Sequence, residues 1–267
     1  MEKFEIEKQL AKEENIEGKI LNFDDPKLGK STPVRINKIN NILGSGDCSF
    51  WIADTNIEVA EENKSDHHNL NVVLKKFRGG MIHKKDTNIE RVSKELMDNY
   101  QTYKVFKTMG LPTFDTFRVN IEHGLALMTL KTKDGAVLLN TNDMYSGKDR
   151  APFVENPIKE ISNLDDFVEK LRSILNKTIA NRFCPETSSY GIIFKPGDGT
   201  SGLYELDVMF VDFGARAFKR YDVDEYFDKE IIKDNLENLE SALSLIFPGT
   251  DDEKSDFRKK VMDMLSA

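Results

Sequence analysis

Residues 204–216 read YELDVMFVDFGAR, and the reading of this stretch decides the fold. Leu206-Asp207-Val208-Met209-Phe210-Val211 is a run of mostly large apolar and β-branched residues, the composition of a buried strand. It breaks at Asp212-Phe213-Gly214. A carboxylate held at the end of a rigid strand, with a glycine beyond it to let the chain turn, suits a metal–phosphate site. The same tripeptide also ends ordinary strands, so its meaning depends on the partners that the upstream chain supplies.

The chain has 267 residues, enough for one large domain or two small lobes, and 39% of them are hydrophobic, which suffices for a core. Lys and Arg number 38 against 46 Asp and Glu, a formal net charge of −8. That balance argues against a general nucleic-acid binder, which carries a basic excess. No apolar run approaches the roughly 20 residues of a membrane span. The start, MEKFEIEKQLAKEEN, is charged and amphipathic without a signal-peptide core, so the setting expected is cytoplasmic, in the protein's own cell or a host's. Two cysteines, Cys48 and Cys184, are too few for a disulfide scaffold. The pair His67-His68 beside Asp66 has no matching second cluster and reads as a solvated loop.

Residues 2–15 read as a helix and 16–33 as an irregular lead-in carrying Asp24, Asp25, Pro26, Gly29 and Pro33. From Val34 a strand is expected to enter a glycine turn, and a second strand, with Phe50, Trp51 and Ile52, to leave it. Residues 70–77, LNVVLKKF, form a third. Residues 89–109 have helical spacing at Val92, Leu96, Tyr100, Tyr103, Phe106 and Met109, and Gly110 and Pro112 stop them. Residues 114–119 and 125–130 complete five strands. Residues 131–160 are loop-rich. Residues 164–183 form an amphipathic helix capped by Ser162 or Asn163, 184–190 a loop, and 192–194 pairs with 208–211 across the tip KPGDGTSG. Helices are expected over 226–247 and 252–265.

Three features fit the opening aspartate. Leu43-Gly44-Ser45-Gly46-Asp47-Cys48-Ser49 lies between two strands, where glycine permits close backbone approach and free N–H groups can cradle phosphate. A strand follows it, so it is no dinucleotide-fold fingerprint, and it lacks the Gly-Lys-Ser/Thr of a Walker loop. In Val72-Val73-Leu74-Lys75 a lysine sits in an apolar strand, a costly place unless its ammonium is paired or exposed. Lys76 points the other way. Glu95 follows Lys75 by 20 residues, on the long helix, where a carboxylate could hold the lysine against a polyphosphate.

In this order, L-G-S-G-D-C-S-F-W, V-V-L-K, Glu95 and V-D-F-G, the chain resembles the protein-kinase-like superfamily over roughly residues 42–216. The resemblance implies an α+β, two-lobed fold with ATP between the lobes. Residues 1–33 would be an N-terminal helix and lead-in, 34–130 an N-lobe of five antiparallel strands and one long helix, and 131–267 a reduced, mainly helical C-lobe. It implies ATP and Mg²⁺ as cofactors. Gly44, Ser45 and Gly46 would cover the phosphates, Lys75 would bind them with Glu95 behind it, and Asp212 would hold Mg²⁺. Met128 and Leu130 would lie near the hinge that meets adenine.

The departures are specific. Ser49 replaces the third loop glycine, and Trp51 stands where valine is usual. No His-Arg-Asp is present. Counting back from strand 192–194, Glu186 falls on the catalytic aspartate and Gly191 on the second Mg²⁺-binding asparagine; an offset alignment would instead recruit Asn181 or Asp207. Only 53 residues follow Gly214, with no Ala-Pro-Glu. Cys48 and Cys184 would sit on loops facing the nucleotide, where a redox switch is conceivable. The expected function is transfer of the ATP γ-phosphoryl to a hydroxyl, on a protein substrate. The alternatives are a catalytically impaired nucleotide-binding module and a small-molecule kinase. The latter is hinted at by the run Gly110-Leu111-Pro112, which is similar to aminoglycoside- and lipopolysaccharide-kinase relatives.

Overall fold

The computed structural model describes the backbone of residues 18–25, 30–44, 49–60, 67–77, 89–121, 124–130, 136–140, 160–196, 203–211, 213–214, 217–222 and 228–266. The helix expected at residues 2–15 lies outside them, as do Ser45, Gly46, Cys48 and Asp212. The chain divides into two compact units, Met1–Gln101 with Phe114–Lys131, and Thr102–Thr113 with Thr132–Ala267. Both combine antiparallel strands with helix, as an α+β chain should.

The first unit is built on β1 (Ile20–Asp25), β2 (Lys30–Gly44), β3 (Ser49–Ala60), β4 (His67–Phe77), β5 (Thr116–Ile121) and β6 (Gly124–Leu130). These strands close into a barrel in the order β1-β2-β3-β4-β6-β5. The sequence leads one to expect five antiparallel strands, with an irregular lead-in at 16–33. Instead residues 20–25 form a sixth strand, which pairs along β2 and closes on β5 through Phe23↔Val119 and Asp24↔Arg118. The Asp24-Asp25 pair that reads as loop ends this strand, held there by tertiary pairing rather than propensity. His67 and His68 open β4 opposite Ala60 and Val59, and so belong to strand rather than loop.

Closure needs curvature, and β2 supplies it. Its register against β3 slips between Ile36 and Lys38, Ile39 and Asn41, and Ile42 and Gly44, leaving one extra β2 residue each time. Each bulge bends the strand and adds twist. Strand alternation then sends Val34, Ile36, Thr55, Ile57, Val72, Leu74, Val119 and Met128 to one face, and all are buried.

Helix α1 (Ile89–Thr108) matches the predicted helix to within a residue and runs from the first unit into the second. It ends in a Schellman turn. Gly110 N–H donates to Lys107 O at 3.0 Å and Leu111 N–H to Phe106 O at 2.9 Å. The turn requires Gly110 at φ +67°, a conformation costly for any residue with a Cβ. The Gly-Leu-Pro run thus has a structural reading of its own.

In the second unit, β7 (Val137–Asn140), β8 (Glu160–Ile161), β10 (Tyr190–Pro196) and β11 (Leu203–Phe210) form a sheet in the order β7-β10-β11-β8, and β9 (Phe183–Pro185) pairs with β12 (Phe218–Arg220). Among the described residues its helices are α2 (Leu164–Ala180), α3 (Asp228–Ile246) and α4 (Asp251–Ser266), together with the last turns of α1. Helix outweighs strand among the unit's described residues, while strands also form where the sequence reads as loop. Strand β7 falls within the stretch read as loop and β8 begins on its last residue, while β9 takes the last residue of the expected helix 164–183 and the first two of the supposed loop at 184–190. Neither Ser162 nor Asn163 caps α2. Asn163 instead donates to Leu206 O at 2.9 Å and accepts from Leu206 N–H at 2.8 Å, acting as a substitute strand edge beside β11.

Phe106 is fully buried and meets Phe183, Phe210, Phe213 and Phe218 edge-on, with ring centroids 5.0–6.1 Å apart. Edge-to-face geometry is the favoured arrangement of such rings. Phe106→Ala is expected to cost about 3–5 kcal/mol; the shift of the denaturant midpoint at unchanged slope measures it.

Candidate functional site

The predicted site residues fall into two groups, one in each unit. In the first unit, Lys75 is half-buried on the face of β4 opposite that of Val72 and Leu74. It lies directly across from Leu127 of β6, which is itself opposite Arg118 of β5. Arg118 Nη1 reaches the Met97 sulfur of α1 at 3.6 Å. Lys75 thus shares the sheet face that α1 packs against, and α1 carries Glu95 two residues before Met97. The Glu95 side chain lies outside the described residues. Gly44 ends β2 opposite Ile52. Met128 is 2% exposed and flanked by β4 and β5, so its backbone serves the ladder. Leu130 is opposite Val72, one residue past the last β5 pairing at Thr129.

In the second unit the chain on either side of Asp212 is fixed. Phe210 N–H donates to Pro112 O at 2.8 Å, and Thr113 bridges to Phe210. The end of β11 is thereby tied to the segment leaving the Schellman turn of α1. Val211 N–H donates to Ser189 O at 3.0 Å. Phe213 is buried, with its ring edge-on to Tyr103 and Phe106, each 5.6 Å away. Asp212 itself lies outside the described residues.

Glu186 precedes the 3₁₀ turn Thr187–Ser189 in extended backbone, φ −71° and ψ 155°. Its N–H donates to Ala217 O at 2.9 Å, and its carbonyl accepts from Ser189 N–H at 2.9 Å. Ser189 Oγ also donates to Ala217 O, at 2.5 Å. The loop holding the expected base is therefore hydrogen-bonded to both sides of the Val-Asp-Phe-Gly turn, at Val211 and at Ala217.

Gly191 is opposite Met209 on β11 and Asn140 on β7. A Cβ there would meet Leu138 Cδ1 at 2.9 Å, Val211 Cγ1 at 3.0 Å and the Met209 carbonyl at 3.3 Å. A metal-binding side chain at this position has no room without movement of its neighbours. The offset candidates are occupied structurally. Asp207 pairs with Lys170 and with Lys195, and accepts from Val208 N–H at 2.9 Å. Asn181 ends α2 and donates to Lys177 O at 2.7 Å.

Cys184 does not lie on a loop. It sits in β9, 1% exposed, and accepts a hydrogen bond from Asn238 Nδ2 at 3.3 Å. Burial pushes its thiol up to about 11, outweighing the Asn238 hydrogen bond. A buried thiol of this kind is inert, which argues against a redox switch at this residue.

Sequence reasoning did not find the polar side chains of α3. Asn235 is fully buried and satisfied; it donates to Phe183 O at 3.0 Å and Ile231 O at 2.9 Å, and accepts from Thr178 Oγ1 at 2.8 Å. Asp234 accepts from the Tyr221 hydroxyl and from Lys219 Nζ at 3.1 Å. The Tyr221 bond, then Lys219, hold the Asp234 carboxyl below the usual carboxylate range against the opposing effect of burial. The one available signal was an asparagine pair at i, i+3 on an otherwise amphipathic helix. Among the described residues no group of three or more His, Cys, Asp or Glu side chains could hold a metal, and no helix is long and apolar enough to cross a membrane.

In a Cys48→Ser background, alkylation of Cys184 at pH 8 is expected to run at least ~100-fold below an ordinary thiol, because two pKa units remove that much thiolate. Mass spectrometry of the folded and urea-unfolded protein reads the difference, which should vanish on unfolding.

No protein-family model matches the chain, and no curated protein matches it in sequence. Among solved structures it is similar to the Rio2 kinase–ADP/Mg²⁺–phosphoaspartate complex of Chaetomium thermophilum, at 13% identity and a TM-score of 0.41, over 86% of this chain and 69% of that one. A similarity of that size says nothing about chemistry.

Proposed function

We propose that this chain is an atypical, protein-kinase-like phosphotransferase that moves the γ-phosphoryl of Mg²⁺–ATP to a hydroxyl, on a protein substrate. The observation that carries the reading lies in the second unit. The backbone that bears Glu186 is hydrogen-bonded to the backbone on both sides of Asp212, through Val211 N–H to Ser189 O at 3.0 Å and Glu186 N–H to Ala217 O at 2.9 Å. A carboxylate for the metal and a carboxylate for the acceptor proton, on chain segments pinned to each other, are the parts this transfer needs.

Bound Mg²⁺–ATP supplies the transferable phosphoryl and neutralises much of its charge. In this reading Lys75 binds the α/β-phosphates and Glu95 holds its ammonium. Gly44, Ser45 and Gly46 would give their N–H groups to the phosphates, and Leu130 offers the adenine contact at the end of β6. Asp212 holds the metal ion. Glu186 accepts the proton of the incoming hydroxyl. Its extra methylene, relative to aspartate, changes the reach of the carboxylate, and a displacement of about 1 Å can change the rate roughly 100-fold. Gly191 offers no second metal ligand, and a side chain there would need its neighbours to shift, so this reading uses one metal ion, on Asp212.

That same glycine favours a second reading, a nucleotide-binding module that does not turn over. Incubation with γ-labelled ATP, Mg²⁺ and casein separates the two. Phosphotransferase activity should appear as label in casein or in the chain itself, and should fall by about 100-fold or more in Lys75→Met and in Asp212→Asn. Transfer that survives both substitutions sinks the assignment. An Mg²⁺-dependent rise in melting temperature with ATP, without transfer, selects the module.

A further inference from the structure

We propose that Asn238 of α3 is the positioning residue for Glu186. The inference rests on the phosphotransferase reading of Glu186 given above. The half-buried Asn238 amide reaches the residues on both sides of that glutamate. Its Nδ2 donates to Pro185 O at 3.0 Å, and its Oδ1 accepts from Thr187 Oγ1 at 3.4 Å. The same Nδ2 lies 3.3 Å from Cys184 Sγ. One side chain therefore bridges across Glu186, from the residue before it to the residue after it, while touching no carboxylate.

The rest of the geometry makes this bridge decisive for aim rather than for folding. Asn235, one turn earlier on α3, already holds Phe183 O at 3.0 Å and is fully buried, so it fixes where β9 sits. The backbone of Glu186 is pinned at its N–H to Ala217 and at its carbonyl to Ser189. The Pro185 carbonyl shares one planar peptide unit with the Glu186 N–H, so Asn238 grips from one side the unit that Ala217 holds from the other, and it holds the next residue, Thr187, through its hydroxyl. An amide is the side chain that offers a donor and an acceptor in one plane. Aspartate there would lose the donor, and leucine would lose both while keeping the approximate shape.

Kinetics of label transfer from γ-labelled ATP to casein test this in wild type, Asn238→Leu and Asn238→Asp, each also combined with Glu186→Gln. Both single variants are expected to lower kcat about 10–100-fold with KM for ATP within about 2-fold, since aim changes and nucleotide binding does not. In the Glu186→Gln background each should cost less than about 2-fold, because the group being aimed is gone. Full kcat in a folded Asn238→Asp or Asn238→Leu overturns the inference, and so does a loss as large without Glu186 as with it. Should one variant fail to fold, the other carries the comparison. No transfer by wild type overturns the phosphotransferase reading and this inference with it, whereas transfer by wild type that the variants leave intact overturns the inference alone.

Discussion

The edge-on packing of Phe106 against four other phenylalanines is the interaction on which the rest of the second unit depends. Phe183 brings β9, Phe210 the end of β11, Phe213 the turn beyond it and Phe218 the returning strand β12. Every segment that borders the candidate aspartate and the candidate base thus presents a ring to one side chain of α1. The Schellman turn that follows converts this packing into backbone geometry, because Pro112 and Thr113 leave it aligned to pair with Phe210. Aromatic burial and two main-chain contacts therefore act on the same few residues.

The first unit reaches its order by a different route. Its core face alternates along curved strands, and the curvature comes from bulges in β2 rather than from glycine. The result is a closed barrel whose outer surface meets the long helix at Arg118 of β5. Lys75 belongs to that outer surface, while Val72 and Leu74 beside it in sequence fill the interior. A lysine can sit inside so apolar a strand because alternation separates it from the core that its neighbours build.

Much of this was legible in the chain. The spacing of Leu96, Tyr100, Tyr103 and Phe106 defines α1 nearly to the residue, and Gly110 marks its end for a reason the dihedral bears out. The pairing of β10 with β11 follows from two apolar runs around a glycine-rich tip. Illegible were elements that exist only through partners distant in sequence. Strand β8 is two residues long and parallel to β11; β9 is three residues long and ends on Pro185, which has no strand propensity; β1 carries consecutive aspartates. Asn163 has the composition of a cap and works as a strand edge. The candidate site divides similarly. Residue types and order are visible in the sequence, whereas the grip of α3 on β9 and the residues just after it is made of side-chain hydrogen bonds that no periodicity encodes.

The close packing at Gly191 also bears on how this sequence can change. A Cβ introduced there meets Leu138 of β7 and Val211, just past the end of β11, and then the Met209 carbonyl, which no substitution can trim. A side chain at position 191 is therefore accommodated only if Leu138 swings aside and Val211 and the Met209 carbonyl each give by a few tenths of an ångström, so a substitution there is felt directly in the fit of β10 against its neighbours.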